Sequence, residues 1–213
     1  MALEQSNRDQ HLQPRRGLFG ENEAPGELEL VRRFVNTRDI EEGIDELDST
    51  EALLGWFAGI GLLNEHGATA DEKDLERALA MREGIRSLLL ANNGEKVDAT
   101  RINELNHAIG SVCLAVRFDD DGRATLKPES SGVSAALGRI LAAVVRATEE
   151  GSWGRLKVCP NDACQWAFYD RSKNRSGKWC TMEVCGNRMK ARTFRQRQAS
   201  RKGVSHPAQQ ERK

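Results

Sequence analysis

The four cysteines at positions 159, 164, 180 and 185 constrain this chain more than anything else in it. They form the pattern Cys-x4-Cys-x15-Cys-x4-Cys, and only one other cysteine, Cys113, is present. Two short knuckles delivering two sulfurs each are what a structural zinc ion requires, because it takes four ligands in a tetrahedron. A segment this small cannot bury enough apolar surface to fold unaided, and bound metal supplies the missing free energy. Two disulfides are the competing use of the same residues; the symmetric spacing favours one zinc. Cys113 lies in an apolar, β-branched stretch and is expected to be a buried thiol outside the site.

What surrounds the cysteines is basic. The chain has a formal net charge of zero, yet residues 153–213 carry 15 Lys and Arg against 4 Asp and Glu, while residues 1–152 carry 17 against 28. Four thiolates and one Zn2+ would remove only two positive charges from the C-terminal part. A small basic unit beside an acidic one points to a polyanionic partner. Nucleic acid is the common one, since every phosphate neutralised by Lys or Arg releases a counterion.

Other function classes find little support. The longest apolar runs, such as residues 141–145, are far too short to cross a bilayer. Residues 1–26 are polar and lack an apolar secretory core, and free thiols suit a reducing compartment, so a cytoplasmic location is expected. His11, His66, His107 and His206 are scattered, and no phosphate loop, nucleophile elbow or carboxylate pair can be assembled. The chain is expected not to be an enzyme, with no catalytic residues and no cofactor besides Zn2+.

Periodicity predicts a mainly α protein with one β-hairpin, followed by a small zinc-binding module of hairpin and helix. Residues 1–26 read as a disordered tail. Residues 27–150 read as a helical regulatory domain. Leu28, Val31 and Val35 start its first helix, and Asp48 with Glu51 has the spacing of a capping box for a second helix reaching Leu63. Asp71 opens the longest helix, with Leu75, Leu79, Ile85, Leu88 and Leu89 as its buried face. Asp98 caps another. Residues 112–118 and 123–127 form the hairpin around Asp-Gly, and a helix from 131 or 132 ends at Gly151. The module spans residues 151–200: a strand into Cys159, a strand over 166–170 with Lys178-Trp179-Cys180 pairing back against it, and a helix N-capped by Asn187. Residues 201–213 form a basic tail.

Two clusters of cations flank the cysteines. The loop at 171–176 offers Arg171, Lys173 and Arg175 among small hydrogen-bonding residues. The helix after Cys185 carries Arg188, Arg192 and Arg195 in one stripe, with Lys190, Arg197 and Arg201 on a roughly opposite face. Arginine reads guanine edges and holds phosphates, so the first stripe is the expected reading face.

Trp153-Gly-Arg155-Leu-Lys157-Val-Cys159-Pro160, the run Phe168-Tyr169-Asp170-Arg171-Ser172, and Cys185-Gly186-Asn187-Arg188 together resemble the CGNR zinc finger family. The region from Leu28 to Glu149, with its Phe34-Val35-Asn36-Thr37 run, resembles the ABATE domain that accompanies such fingers. The resemblance implies a bacterial transcription regulator, stress- or ligand-responsive, with a C-terminal finger on double-stranded DNA. Its N-terminal domain would receive a small-molecule or protein effector. RNA binding is the main alternative, because charge does not distinguish the two nucleic acids. A protein-interaction adaptor with a purely structural zinc, and a thiol redox switch, are the others.

Overall fold

Leu28, Val31, Phe34 and Val35 fall on one side of a helix, and α1 (Leu28–Val35) buries all four. The computed structural model describes residues 23–63 and 68–203. Of the expected tails, 1–26 and 201–213, the parts up to residue 22 and beyond 203 lie outside the described residues, as does His66; of the rest, Ala24 is buried against the helices and 201–203 continue the last helix. After α1 comes a hairpin of two residues per strand, β1 (Arg38–Asp39) and β2 (Ile44–Asp45). Strands this short carry no readable period.

Helix α2 (Thr50–Gly59) is capped one residue later than expected. The Ser49 side chain accepts the Ala52 N–H, so the Asp48–Glu51 box does not form. The helix also stops early. Gly61 turns the chain at φ +73°, and Ile60 and Leu63 reach the core from the turn rather than the helix.

Helix α3 (Glu72–Asn92) starts as expected, with Asp71 and Asp74 forming a reciprocal capping box. Its buried face differs. Ala78, Met81, Ile85 and Leu89 are fully inside, whereas Leu75, Leu79 and Leu88 sit at the margin. The same stripe contains Arg82 and Arg86, 1% and 3% exposed. Buried guanidinium groups must be paired. Arg82 donates to both oxygens of Asp45 at 2.6 and 2.8 Å and to Glu83 at 3.0 Å. Burial pushes the Asp45 carboxyl up, but the Arg82 hydrogen bonds and the Leu47 N–H outweigh it, leaving Asp45 below its ordinary value.

Helix α4 (Ala99–Ile109) is capped by Asp98 and lies against α3. The approach is closest at Gly84, where a Cβ would stand 2.6 Å from Leu105 Cβ. Strands β3 (Leu114–Phe118) and β4 (Ala124–Pro128) form the expected hairpin, closed by the Asp119 carboxylate accepting the Asp121 and Arg123 N–H groups. Helix α5 (Gly132–Glu149) covers one side of it. Cys113 is exposed, which corrects the expectation of a buried thiol. Side chains alternate along a strand. Leu114 meets Gly138 of α5, so its neighbour Cys113 turns to the uncovered side.

The basic module does not stand apart from the helices. Strands β5 (Leu156–Val158) and β6 (Ala167–Tyr169) pair antiparallel, and Leu156, Val158 and Ala167 belong to the same apolar core as α1, α3 and α5. The pairing expected from residues 178–180 onto 166–170 is absent; β6 pairs with β5 instead. Residues 178–180 are held by side chains, as in the Lys178 C=O accepting from Asn93. The chain is thus mainly α, with short hairpins and a C-terminal cysteine cluster. Among the described residues no helix is long and apolar enough to cross a membrane.

Candidate metal centre and the basic helix

The first knuckle follows directly from β5. The Cys159 N–H donates to the Trp166 C=O, and the Cys164 and Gln165 N–H groups both donate to the Asn161 C=O, which tightens the loop between the first two sulfurs. Gln165 takes the left-handed conformation, φ +47°, to rejoin β6. The second knuckle is a π-turn (Met182–Gly186) leading without a break into α6 (Asn187–Gly203). Asn187 is therefore a residue within helical backbone, not the expected N-cap; its amide donates back to the Glu183 C=O. A Cβ at Gly186 would strike the Met182 sulfur, so a side chain there would have to displace the Met182 thioether.

These two turns bring Cys159, Cys164, Cys180 and Cys185 together with all four Sγ atoms within 4.8 Å of one another, all buried. The Cys164–Cys180 and Cys180–Cys185 sulfur separations are 3.6 and 3.5 Å. A tetrahedron with Zn–S bonds of about 2.3 Å has edges of about 3.8 Å, so the four sulfurs need only small adjustment. Asn161, buried beside them, points its amide at the Cys185 sulfur at 3.9 Å. Trp166, Phe168 and Trp179 pack around the cluster, while Trp153 joins the helical core.

The electrostatics call for a cation. Hydrogen bonds from Cys164 and Cys180 pull the Cys159 thiol down to about 4. The converse raises the others: Cys164 and Cys180 are pushed up first by their hydrogen bonds to Cys159, and Cys185 first by burial. One thiolate is accommodated and further ones are resisted. A divalent ion removes that resistance, and when bound its chemistry is structural: it cross-links the two knuckles.

Side chains of the helical part grip the module from outside. Residues of an antiparallel pair alternate between bonding their partner and turning outward. With Trp166 bonded to Cys159, Ala167 turns outward, and Asn36 meets it: its amide donates to the Ala167 C=O at 2.9 Å and accepts the Ala167 N–H at 2.7 Å. Arg86 donates to the Gln165 and Val35 carbonyls. Asn92 donates to the Trp153 and Leu156 carbonyls, and Asn93 to those of Val158 and Lys178. None of these four anchors was singled out from sequence for this role. Only the Phe-Val-Asn-Thr run, which contains Asn36, offered a signal.

The loop expected to carry Arg171, Lys173 and Arg175 is built on a buried ion pair. Lys157 Nζ lies 2.7 Å from Asp170 Oδ2 and also donates to the Arg175 and Gly177 carbonyls. Asp170 accepts the Ser172 and Gly177 N–H groups. Burial raises its carboxyl, but Lys157 and Ser172 hold it below the usual range. Arg171 is partly committed, donating to the Glu23 C=O and lying 5.7 Å from the Tyr169 ring centre. Lys173 and Arg175 lie in the same loop.

Helix α6 is the most exposed element. From Asn187 to Ala199 every residue but Met189 is exposed, and the helix packs mainly against the π-turn at its base. Its sequence holds seven Lys and Arg and no Asp or Glu. Arg188, Lys190, Arg192, Arg195 and Arg197 therefore all stand on one projecting helix. Arg188 has an acidic partner, Glu41 of the β1–β2 turn, at 2.8 Å. Arg195 Nε turns back to the Ala191 C=O.

Residues 28–150 match the ABATE family, described as "Putative stress-induced transcription regulator". Residues 155–198 match the CGNR zinc finger. No curated protein matches the chain. Finger match and sulfur geometry together establish one structural zinc held by Cys159, Cys164, Cys180 and Cys185.

Proposed function

The chain belongs to the ABATE family, and from that premise we propose that it is a transcription regulator that binds double-stranded DNA through its zinc-anchored basic helix. The observation that carries this reading is α6 itself. It is 17 residues long, cationic and free of acidic residues, and from Asn187 to Ala199 its described side chains are almost all exposed. A helix of that length spans about 26 Å and is narrow enough for a major groove about 12 Å wide. Polar helices without a buried face are poorly stable alone. Here the zinc knuckle fixes one end and a polyanion would neutralise the rest.

The helical part is the receiving side. It grips the hairpin through Asn36, Arg86, Asn92 and Asn93, so a change in α1 or α3 reaches the module through hydrogen bonds rather than a loose linker. A small-molecule or protein effector bound there would alter how α6 is presented.

The test is binding of zinc-loaded full-length protein to fluorescent duplex DNA across a salt series. Affinity should fall linearly on a log–log plot, with a slope of about −0.9 for each phosphate contacted. Cys180→Ser should abolish binding with the helical part still folded. Equal or tighter binding to single-stranded RNA would move the reading to RNA. No polyanion binding would leave the adaptor reading.

A further inference from the structure

Helix α6 carries one large apolar side chain that the fold does not use. Phe194 is 63% exposed, outside both apolar clusters. At about 100° per residue it stands one turn from Lys190 and Gln198 and beside Arg197. It therefore belongs to the second basic face, not to the stripe of Arg188, Arg192 and Arg195. The two faces meet different surroundings. At the base of the first stripe Arg188 is tied to Glu41, with Glu42 exposed next to it, so an approaching phosphate meets acidic side chains there. On the second face the nearest acidic residue in sequence is Glu183, back in the π-turn, and from Lys190 onward the helix has none.

We infer that the Lys190–Phe194–Arg197 face is the one that enters the DNA groove, with Phe194 making an apolar contact to the bases while Lys190 and Arg197 hold phosphates. This rests on the duplex-binding reading above and specifies its surface. Charge complementarity selects the occupant. A second copy of the same face would bring cation against cation, and an ordinary apolar protein groove would leave Lys190 and Arg197 unpaired. Duplex DNA offers phosphates at the groove edges and apolar base surface, such as the thymine methyl, on its floor.

An apolar base contact and a phosphate contact differ in salt dependence, because only the second releases counterions. The experiment uses zinc-loaded full-length protein and a randomised duplex of about 20 base pairs at several salt concentrations. Phe194→Ala should weaken binding by about tenfold at every salt concentration, leaving the slope unchanged, and Phe194→Leu should recover part of the loss. The double variant Lys190→Ala/Arg197→Ala should lower the slope by about 2. Arg188→Ala should stay within about twofold of wild type, because its guanidinium is already spent on Glu41. Zinc content and far-UV signal should be unchanged throughout, since these side chains are exposed. Wild-type binding that is indifferent to Phe194→Ala overturns the inference. So does a slope that falls in Arg188→Ala/Arg192→Ala but not in Lys190→Ala/Arg197→Ala. Phe194-dependent binding to phosphatidylserine vesicles without duplex binding overturns it in favour of a membrane surface. If wild type binds no duplex at all, the duplex-binding reading itself has failed.

Discussion

Asn36→Ala should loosen the zinc module more than any substitution of comparable size on the protein surface. Asn36 is 8% exposed, and its amide supplies both partners of the outward-facing Ala167 peptide groups. Truncation to Ala leaves one N–H and one C=O of β6 unpaired in a buried setting. Each such group costs about 1–3 kcal/mol, so the loss is about 2–6 kcal/mol, a large share of the roughly 5–15 kcal/mol that holds a typical domain. Asn36→Asp separates the two bonds. A carboxylate still accepts the Ala167 N–H but places an acceptor against the Ala167 C=O, so it should be no better than Ala. Urea unfolding followed by tryptophan fluorescence reads the effect where it occurs, because Trp166 and Trp179 pack at the cysteine cluster. Zinc transfer to a coloured chelator gives an independent rate and should accelerate in both variants. An Asn36→Ala protein with a wild-type midpoint and wild-type zinc release would refute the view that the helical part clamps the module.

Zinc content should be close to one per chain, lost in Cys180→Ser and retained in Cys113→Ser, as metal analysis of purified variants would show. Chelation should leave most of the far-UV helix signal, because α1 to α5 bury residues of their own. It should also lower the unfolding midpoint, because Leu156, Val158 and Ala167 leave the shared core; collapse of all helix in one step at the chelator end-point would count against this. Asp45, Glu83 and Asp170 are all held below their ordinary values. Their stabilisation is complete above the unfolded carboxylate range and is lost as pH falls through about 4 and below. Thermal melts should show it, and Asp170→Asn should flatten that acid limb; an unchanged limb would remove Asp170 from the account. Gly177→Ala should destabilise the basic loop, since its Cβ would lie 2.7 Å from Asp170 Oδ1.

The parts of this molecule readable from sequence are those whose cause is local. Cysteine spacing announces a metal knuckle, Asp71 and Asp98 announce helix starts, and Asp-Gly announces the β3–β4 turn, because in each case the partners are a few residues apart. Cys113 shows the limit of period two. Alternation says that neighbours face opposite ways, but only the placement of α5 says which way is covered. Arg82 and Arg86 show another limit. Their helical spacing is apolar-like, yet a charged residue is assigned to solvent until a partner as distant as Asp45 is known. Asn36, Asn92 and Asn93 bond main-chain carbonyls across the whole chain, and a carbonyl leaves no trace in a residue code. The Lys178–Cys180 strand failed for a related reason: Asn93 takes up the Lys178 carbonyl and Asn36 the outward-facing peptide groups of Ala167, which a ladder would have used.

The account turns on what α6 touches in the cell. Crosslinking the full-length protein to nucleic acid in its native cells and sequencing what is recovered tests this most directly. Enrichment of discrete duplex DNA sites, abolished by Cys180→Ser, is the predicted result. Recovery of RNA, or of no nucleic acid above an untagged control, would contradict it.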